Sequence, residues 1–368
     1  SNKTSLPLIT GQDANSLTLN PNFNSAGGTL PENYYSSATL PGITGTIITT
    51  DYAGVTRGST PKMGAFETDV YIYTWQGSTS SNYGTASNWV GGAVPPDGSN
   101  IEFAIAPANN CVLDQNRTVR DIENNNGTYR LNLNGKQLTI TGSITLTNGA
   151  KIDASSSNSV VVFSGASSQS IPSGAFVSNT IDGLTLNNPL GLTINGDLTI
   201  TQTLALTEGS LSIGANTLTL NGLVSATSGT LTGGISTNII IGGSSATTAL
   251  PELTVNTITL NRANGISLGG NLNINGTLVL TSGTLTVGVN TLTIAGNTPT
   301  LTSGNIAASN TSASIVFSNS TGITLPASLF TGSINNLYLT GSGGITASSD
   351  ITVNGILNLQ SSNPSATK

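Results

Sequence analysis

Residues 184–222 read LTLNNPLGLTINGDLTITQTLALTEGSLSIGANTLTLNG, and residues 258–296 read ITLNRANGISLGGNLNINGTLVLTSGTLTVGVNTLTIAG. The two stretches align without a gap at an offset of 74 residues, and the pattern returns from Leu337 to Leu359. Each copy is a series of apolar–polar–apolar pulses. Leu184, Leu192, Leu198, Leu204, Leu211 and Leu218 open them, at steps of 8, 6, 6, 7 and 7 residues. Ile258, Ile266, Leu272, Leu278, Leu285 and Leu292 repeat those steps. Alternation over three residues, closed by Asn-Gly or Ser-Gly, describes a very short half-buried strand followed by a turn. The Asn-Gly pairs at 195–196, 221–222, 275–276 and 354–355 suit sharp corners, because both residues tolerate left-handed backbone. Three consecutive steps add to about 20 residues, one turn of a three-sided coil. A single coil cannot bury its inward Leu and Ile, whereas stacked coils bury them as a column. The expected fold is all-β: a right-handed parallel β-helix, or β-solenoid, with three short strands per coil.

A second recurring unit supports this reading. VVVFSG at 160–165, NIIIGG at 238–243 and SIVFSN at 314–319 are each followed by a loop holding Pro172, Pro251 or Pro326. The super-repeat is then 74 residues from the first copy to the second and 79 from the second to the third, with the extra residues expected in loops. Solenoid is expected from 111 to 368, in about 12 coils. Residues 69–110 hold both tryptophans and form an expected cap or linker, and 1–68 form a separate region. The last pulses of the third copy stop where the earlier copies continue, so the sequence is expected to be a segment of a larger protein.

Composition narrows the function. Charged residues make up 7 % of the 368, the net charge is −6, and between residues 152 and 367 the only cation is Arg262. No basic stripe exists to meet phosphates, which argues against nucleic acid. No apolar run approaches the roughly 18–20 residues of a membrane span. The chain has no histidine, which removes Ser-His-Asp and Cys-His nucleophile systems and the commonest zinc ligand. The single cysteine, Cys111, lies in an apolar–polar alternation and reads as a small strand residue. The acids Asp153, Asp182, Asp197, Glu208, Glu252 and Asp350 are scattered, and neither Asp182/Asp197 nor Asp197/Glu208 is in coil register. Asp114, Asp121 and Glu123 are interleaved with Arg117, Arg120 and Arg130, which reads as charge pairing. No catalytic residue, metal or cofactor is expected, although Asp97-Gly98-Ser99-Asn100 could offer oxygens to a calcium ion. Thr-x-Thr pairs do not recur at every coil on one face, so a hydroxyl rank of the kind that binds ice is not expected.

Two segments carry resemblances. Asp51, Gly54, Arg57 and Gly64-Ala65-Phe66-Glu67 resemble, over about 17 residues, the closing segment of right-handed parallel β-helices in secreted bacterial proteins, in particular the choice-of-anchor, pectate-lyase-like modules of Bacteroidota. Residues 1–68 are accordingly expected to be the C-terminal end of a first parallel β-helix, with Asp51, Arg57 and Glu67 forming an ion-pair clip across its open edge. The segment YTWQGSTSSNYGTASNWVGGAVPPDGSNIEF is similar to the opening of repeat-rich domains in large secreted bacterial proteins, autotransporter-like and Bacteroidota surface proteins among them. The resemblances imply a non-enzymatic segment of a large cell-surface protein, an adhesin or its stalk, outside the outer membrane. Export would follow the type IX secretion route of that phylum. Its partners would be the rest of the parent protein, the secretion machinery and a surface polysaccharide or glycan. Trp75, Tyr83 and Trp89 are the candidate ligand site, since flat aromatic rings suit the apolar faces of sugars. Glycan binding or polysaccharide degradation along the β-helix is the alternative.

Overall fold

The structure is a computed structural model that describes residues 49–50, 57, 72–103, 107–124, 129–147, 149–245 and 248–360. The chain divides into two compact units, Ser1–Ile72 and Tyr73–Lys368. Asp51 and Glu67 of the expected clip lie outside the described residues. Arg57 is half-buried, its backbone N–H on Thr49 O at 2.8 Å.

The second unit is a parallel β-solenoid of about 12 turns. Its described residues contain one three-residue 3-10 turn, Ala86–Asn88, and no other helix. Inward side chains stack in three columns, named here by what they contain. Column A carries Leu184, Leu204 and Val224 one above another. Column B carries Leu198, Leu218, Ile239, Ile258 and Leu278. Column C carries Leu192, Leu211 and Leu231, and higher up Leu253, Leu272, Leu292, Ile315, Leu337 and Leu357. One coil takes 19 residues from Leu192 to Leu211 and 23 from Leu292 to Ile315, the longer one carrying a larger loop.

Burying one Leu contributes about 1.5–3 kcal/mol, while ordering each residue of a coil costs about 1–2 kcal/mol of backbone entropy. Three apolar strands therefore cannot hold a coil alone. Its neighbours must cover it above and below, and they do: Leu272, Leu292 and Ile315 are all fully buried. On the uppermost described coil Leu357 is 54 % exposed.

The sequence repeat and the coil are out of step. Leu184 opens the first copy in column A, its equivalent Ile258 lies in column B, and Leu337, opening the third copy, lies in column C. From Leu184 to Ile258 the chain passes eleven strand steps, three and two-thirds coils. Two strands, Phe176–Asn187 and Leu198–Glu208, run round a corner and serve two columns each. At one corner of the coil, Gly209 and Gly283 hold the same place in two copies, at φ 84° and 86°. A Cβ there would run into the carbonyl of Asn188 or Arg262. The outward Thr pairs form only broken files: Thr199 and Thr219 are followed by Ile240, Thr259 and Val279.

Candidate functional site

The aromatic segment forms the N-terminal cover of the solenoid. Ile72–Thr74 pairs with Ser99–Glu102, which stacks in parallel on Arg117–Asn124. Asn82 bridges in parallel to Val112, with Tyr83 N–H on Val112 O at 3.0 Å. The unpaired edge of the first coils thus receives hydrogen bonds from residues 75–83.

Trp75 and Trp89 are 0 % exposed and Tyr83 is 1 % exposed. Trp89 meets Trp75 edge-on at 5.0 Å between centroids and Tyr83 at 4.8 Å. Trp75 Nε1 donates to Asn109 O (2.9 Å) and Trp89 Nε1 to Tyr83 O (2.8 Å). Arg117 stacks over the Tyr83 ring at 4.5 Å and is held by Asp114 at 2.8 Å. The buried Asn88 fixes the loop below: its Oδ1 accepts from Thr79 and Ser80 N–H, and its Nδ2 donates to Ser80 Oγ and Asn82 O. The expectation of a sugar-stacking platform at Trp75, Tyr83 and Trp89 is corrected on this point. The three side chains are packed into the core of the cap and present no ring face to solvent.

Cys111, also buried, lies at the first coil. Burial pushes its thiol well above the usual range, with Asp114 adding to the shift and Arg117 opposing it. Burial likewise raises the Tyr83 phenol, helped by Cys111, with Arg117 opposing. Both groups stay neutral in the fold at pH values where they ionise in the unfolded chain. Stability is therefore complete below the unfolded pKa values, about 8.5 for a thiol and 10 for a phenol, and is lost as pH rises through them. With no histidine present, the melting temperature is expected to stay level from about pH 5.5 to 8 and to fall above about 8.5. The loss from each group is about 1.4 kcal/mol per pH unit. Thermal melts across that range, with Cys111→Ala removing the first part of the decline, check this.

Several of the acids and asparagines serve the coil itself. At corner after corner an Asx side-chain oxygen accepts a backbone N–H one coil further on. The pairs are Asp97 with Thr118, Asn110 with Arg130, Asn116 with Gln137, Asp121 with Ser143, Asp197 with Thr217, Asn271 with Thr291, and Asn336 with Ile356, at 2.7–3.1 Å. Asp182 reaches both ways, to Asn158 N–H below and Thr201 Oγ1 above. Sequence reasoning missed this device, although each pair is 20–22 residues apart, the length of one coil. Asp197 and Asn271 are equivalents in two copies, so a neutral amide does the work of the carboxylate. Asp197→Ala is expected to cost about 1 kcal/mol in chemical denaturation, and Asp197→Asn less than about 0.5 kcal/mol.

Arg262 is the remaining feature of note. It is 1 % exposed; its Nε donates to Gly242 O at 2.7 Å, and its Nη2 to Leu220 O and Gly222 O at 2.8 and 2.9 Å. One side chain thus joins three successive coils. Its Nη1 is buried without a hydrogen-bond partner, and burial lowers its pKa. In the first copy the same position is Asn188, which relays through Gln169 to the carbonyls of Ile140 and Gly142.

Among the described residues no three His, Cys, Asp or Glu side chains are grouped to hold a metal ion. A hollow of about 50 Å³ lies against Leu325, Pro326, Phe330, Ala347 and Asp350. Ligand pockets are commonly about 300–1,000 Å³, so this one takes a few waters and no sugar ring. No described helix is long and apolar enough to cross a membrane. The geometry defines a β-solenoid protein. Comparison with protein-family models, with curated proteins and with solved structures found no match to this chain.

Proposed function

We propose that the chain is a non-enzymatic segment of a large secreted bacterial surface protein and acts as an adhesin stalk. One observation carries the reading: about 12 turns are stacked in parallel over columns of buried side chains, a construction whose product is length and stiffness. The Asx pairs and Arg262 add to it, because they spend polar side chains on coil-to-coil bonds. The resemblances at residues 51–67 and 69–110 support a place on the exterior of the outer membrane and export by type IX secretion, with a surface glycan as the target of the parent protein.

The test is adhesion by cells displaying the parent protein. Asp182→Asn and Glu208→Gln are expected to leave adhesion unchanged, and the purified chain is expected neither to bind nor to degrade members of a polysaccharide panel. Loss of adhesion in either variant, or turnover of any polysaccharide, overturns the proposal. Binding without turnover would move the adhesive site onto this segment.

A further inference from the structure

Asn-Gly is the sequence most open to attack of a backbone nitrogen on the preceding side chain, because glycine has no Cβ to hinder the approach. The described residues contain six such pairs: 134–135, 195–196, 221–222, 264–265, 275–276 and 354–355. Four have the attacking N–H engaged. Gly135 donates to Ser159 Oγ, Gly265 to Arg262 O, Gly276 to Asn256 O, and Gly355 to Asn335 O. In a fifth, Asn221 is half-buried and Arg262 holds the carbonyls of Leu220 and Gly222 on either side of it. At the sixth, Asn195 is exposed, its side-chain amide makes no hydrogen bond, and neither does the N–H of Gly196.

We propose that Asn195 is a self-modification site, which deamidates while the solenoid stays folded. Hydroxide removes the Gly196 N–H proton and the nitrogen attacks Asn195 Cγ. A C–N bond forms, the Cγ–Nδ2 bond breaks, and ammonia leaves. Water then opens the cyclic imide at either carbonyl, giving aspartate or isoaspartate. The fold has reason to keep the reactive pair, since a Cβ on Gly196 would stand 3.0 Å from Cα and Cβ of Ser173 in the coil below. The product is placed to matter. A new carboxylate arises two residues from Asp197, whose Oδ1 holds Thr217 N–H, and isoaspartate lengthens the main chain by one carbon just before the buried Leu198.

The experiment is peptide mapping by mass spectrometry of the whole chain, folded and in denaturant, after incubation at mildly alkaline pH. In the folded chain Asn195 is expected to convert about tenfold faster than Asn134, Asn264, Asn275 and Asn354, where a hydrogen bond must first be broken. In denaturant the six rates converge. Asn195→Gln, at an exposed position, should melt like the parent chain and lose the signal at that peptide. The proposal is overturned by equal rates in the folded chain, by faster conversion at another of the six, or by no conversion at Asn195 under conditions that convert the denatured chain.

Discussion

Arg262→Ala is expected to lower the stability of the upper solenoid by about 3–5 kcal/mol, a large effect for a single polar substitution. The carbonyls of Leu220, Gly222 and Gly242 lose their donor at once, and each buried acceptor left empty costs about 1–3 kcal/mol. Part of this is offset, because the guanidinium itself gains nothing from an anion: its pKa is lowered by burial alone. Arg262→Met separates the two contributions. It keeps much of the volume and removes the charge, and is expected to cost about 1–3 kcal/mol, since the carbonyls remain empty but the cavity is filled. Solenoids unfold by neighbouring units, so a single melting curve blurs the result. Hydrogen exchange reads it directly: lost protection should centre on residues 218–262 and leave 111–163 as before. Uniform loss along the chain would contradict a local staple.

Trp89→Ala is expected to cost about 3–5 kcal/mol, localised at the other end. The indole is fully buried, packs edge-on against Trp75 and Tyr83, and donates to Tyr83 O. Its removal leaves a cavity of aromatic size in a cap with little other core. Tyr83 N–H on Val112 O and Val112 N–H on Ser81 O should then exchange freely, exposing the first strand edge. Aggregation through that edge is the expected secondary outcome, detectable by light scattering. Preserved protection at Val112 would show that the aromatic cluster is not what closes the coil.

The core of this fold was legible because its period is short and its vocabulary small. Leu198, Leu218 and Leu278 announce inward positions by alternation alone, and their separation gives the coil length. What the sequence concealed is of a different kind. Trp75 and Trp89 suit a buried cluster and an exposed platform equally well, and only the place of their indole N–H bonds decides. Asp197 looked out of register and Asp121 read as a charge partner, because the amides they hold are backbone groups, which carry no sequence signal. Arg262 stood out as a lone cation, yet its role depends on three carbonyls from residues up to 42 positions away.

The mismatch between repeat and coil gives the molecule a property of its own. Eleven strands leave a remainder of two when divided among three faces, so each added repeat indexes everything beyond it by a third of a revolution. Only after three repeats does the cycle close. Deleting residues 184–257 would leave the hydrophobic interior in phase, because Ile258 can take the place of Leu184 in column A, while every outward residue above the junction faces a new direction. Length and azimuth are therefore geared together: gene-level gain or loss of one repeat is absorbed by the core and expressed as rotation of whatever the solenoid carries.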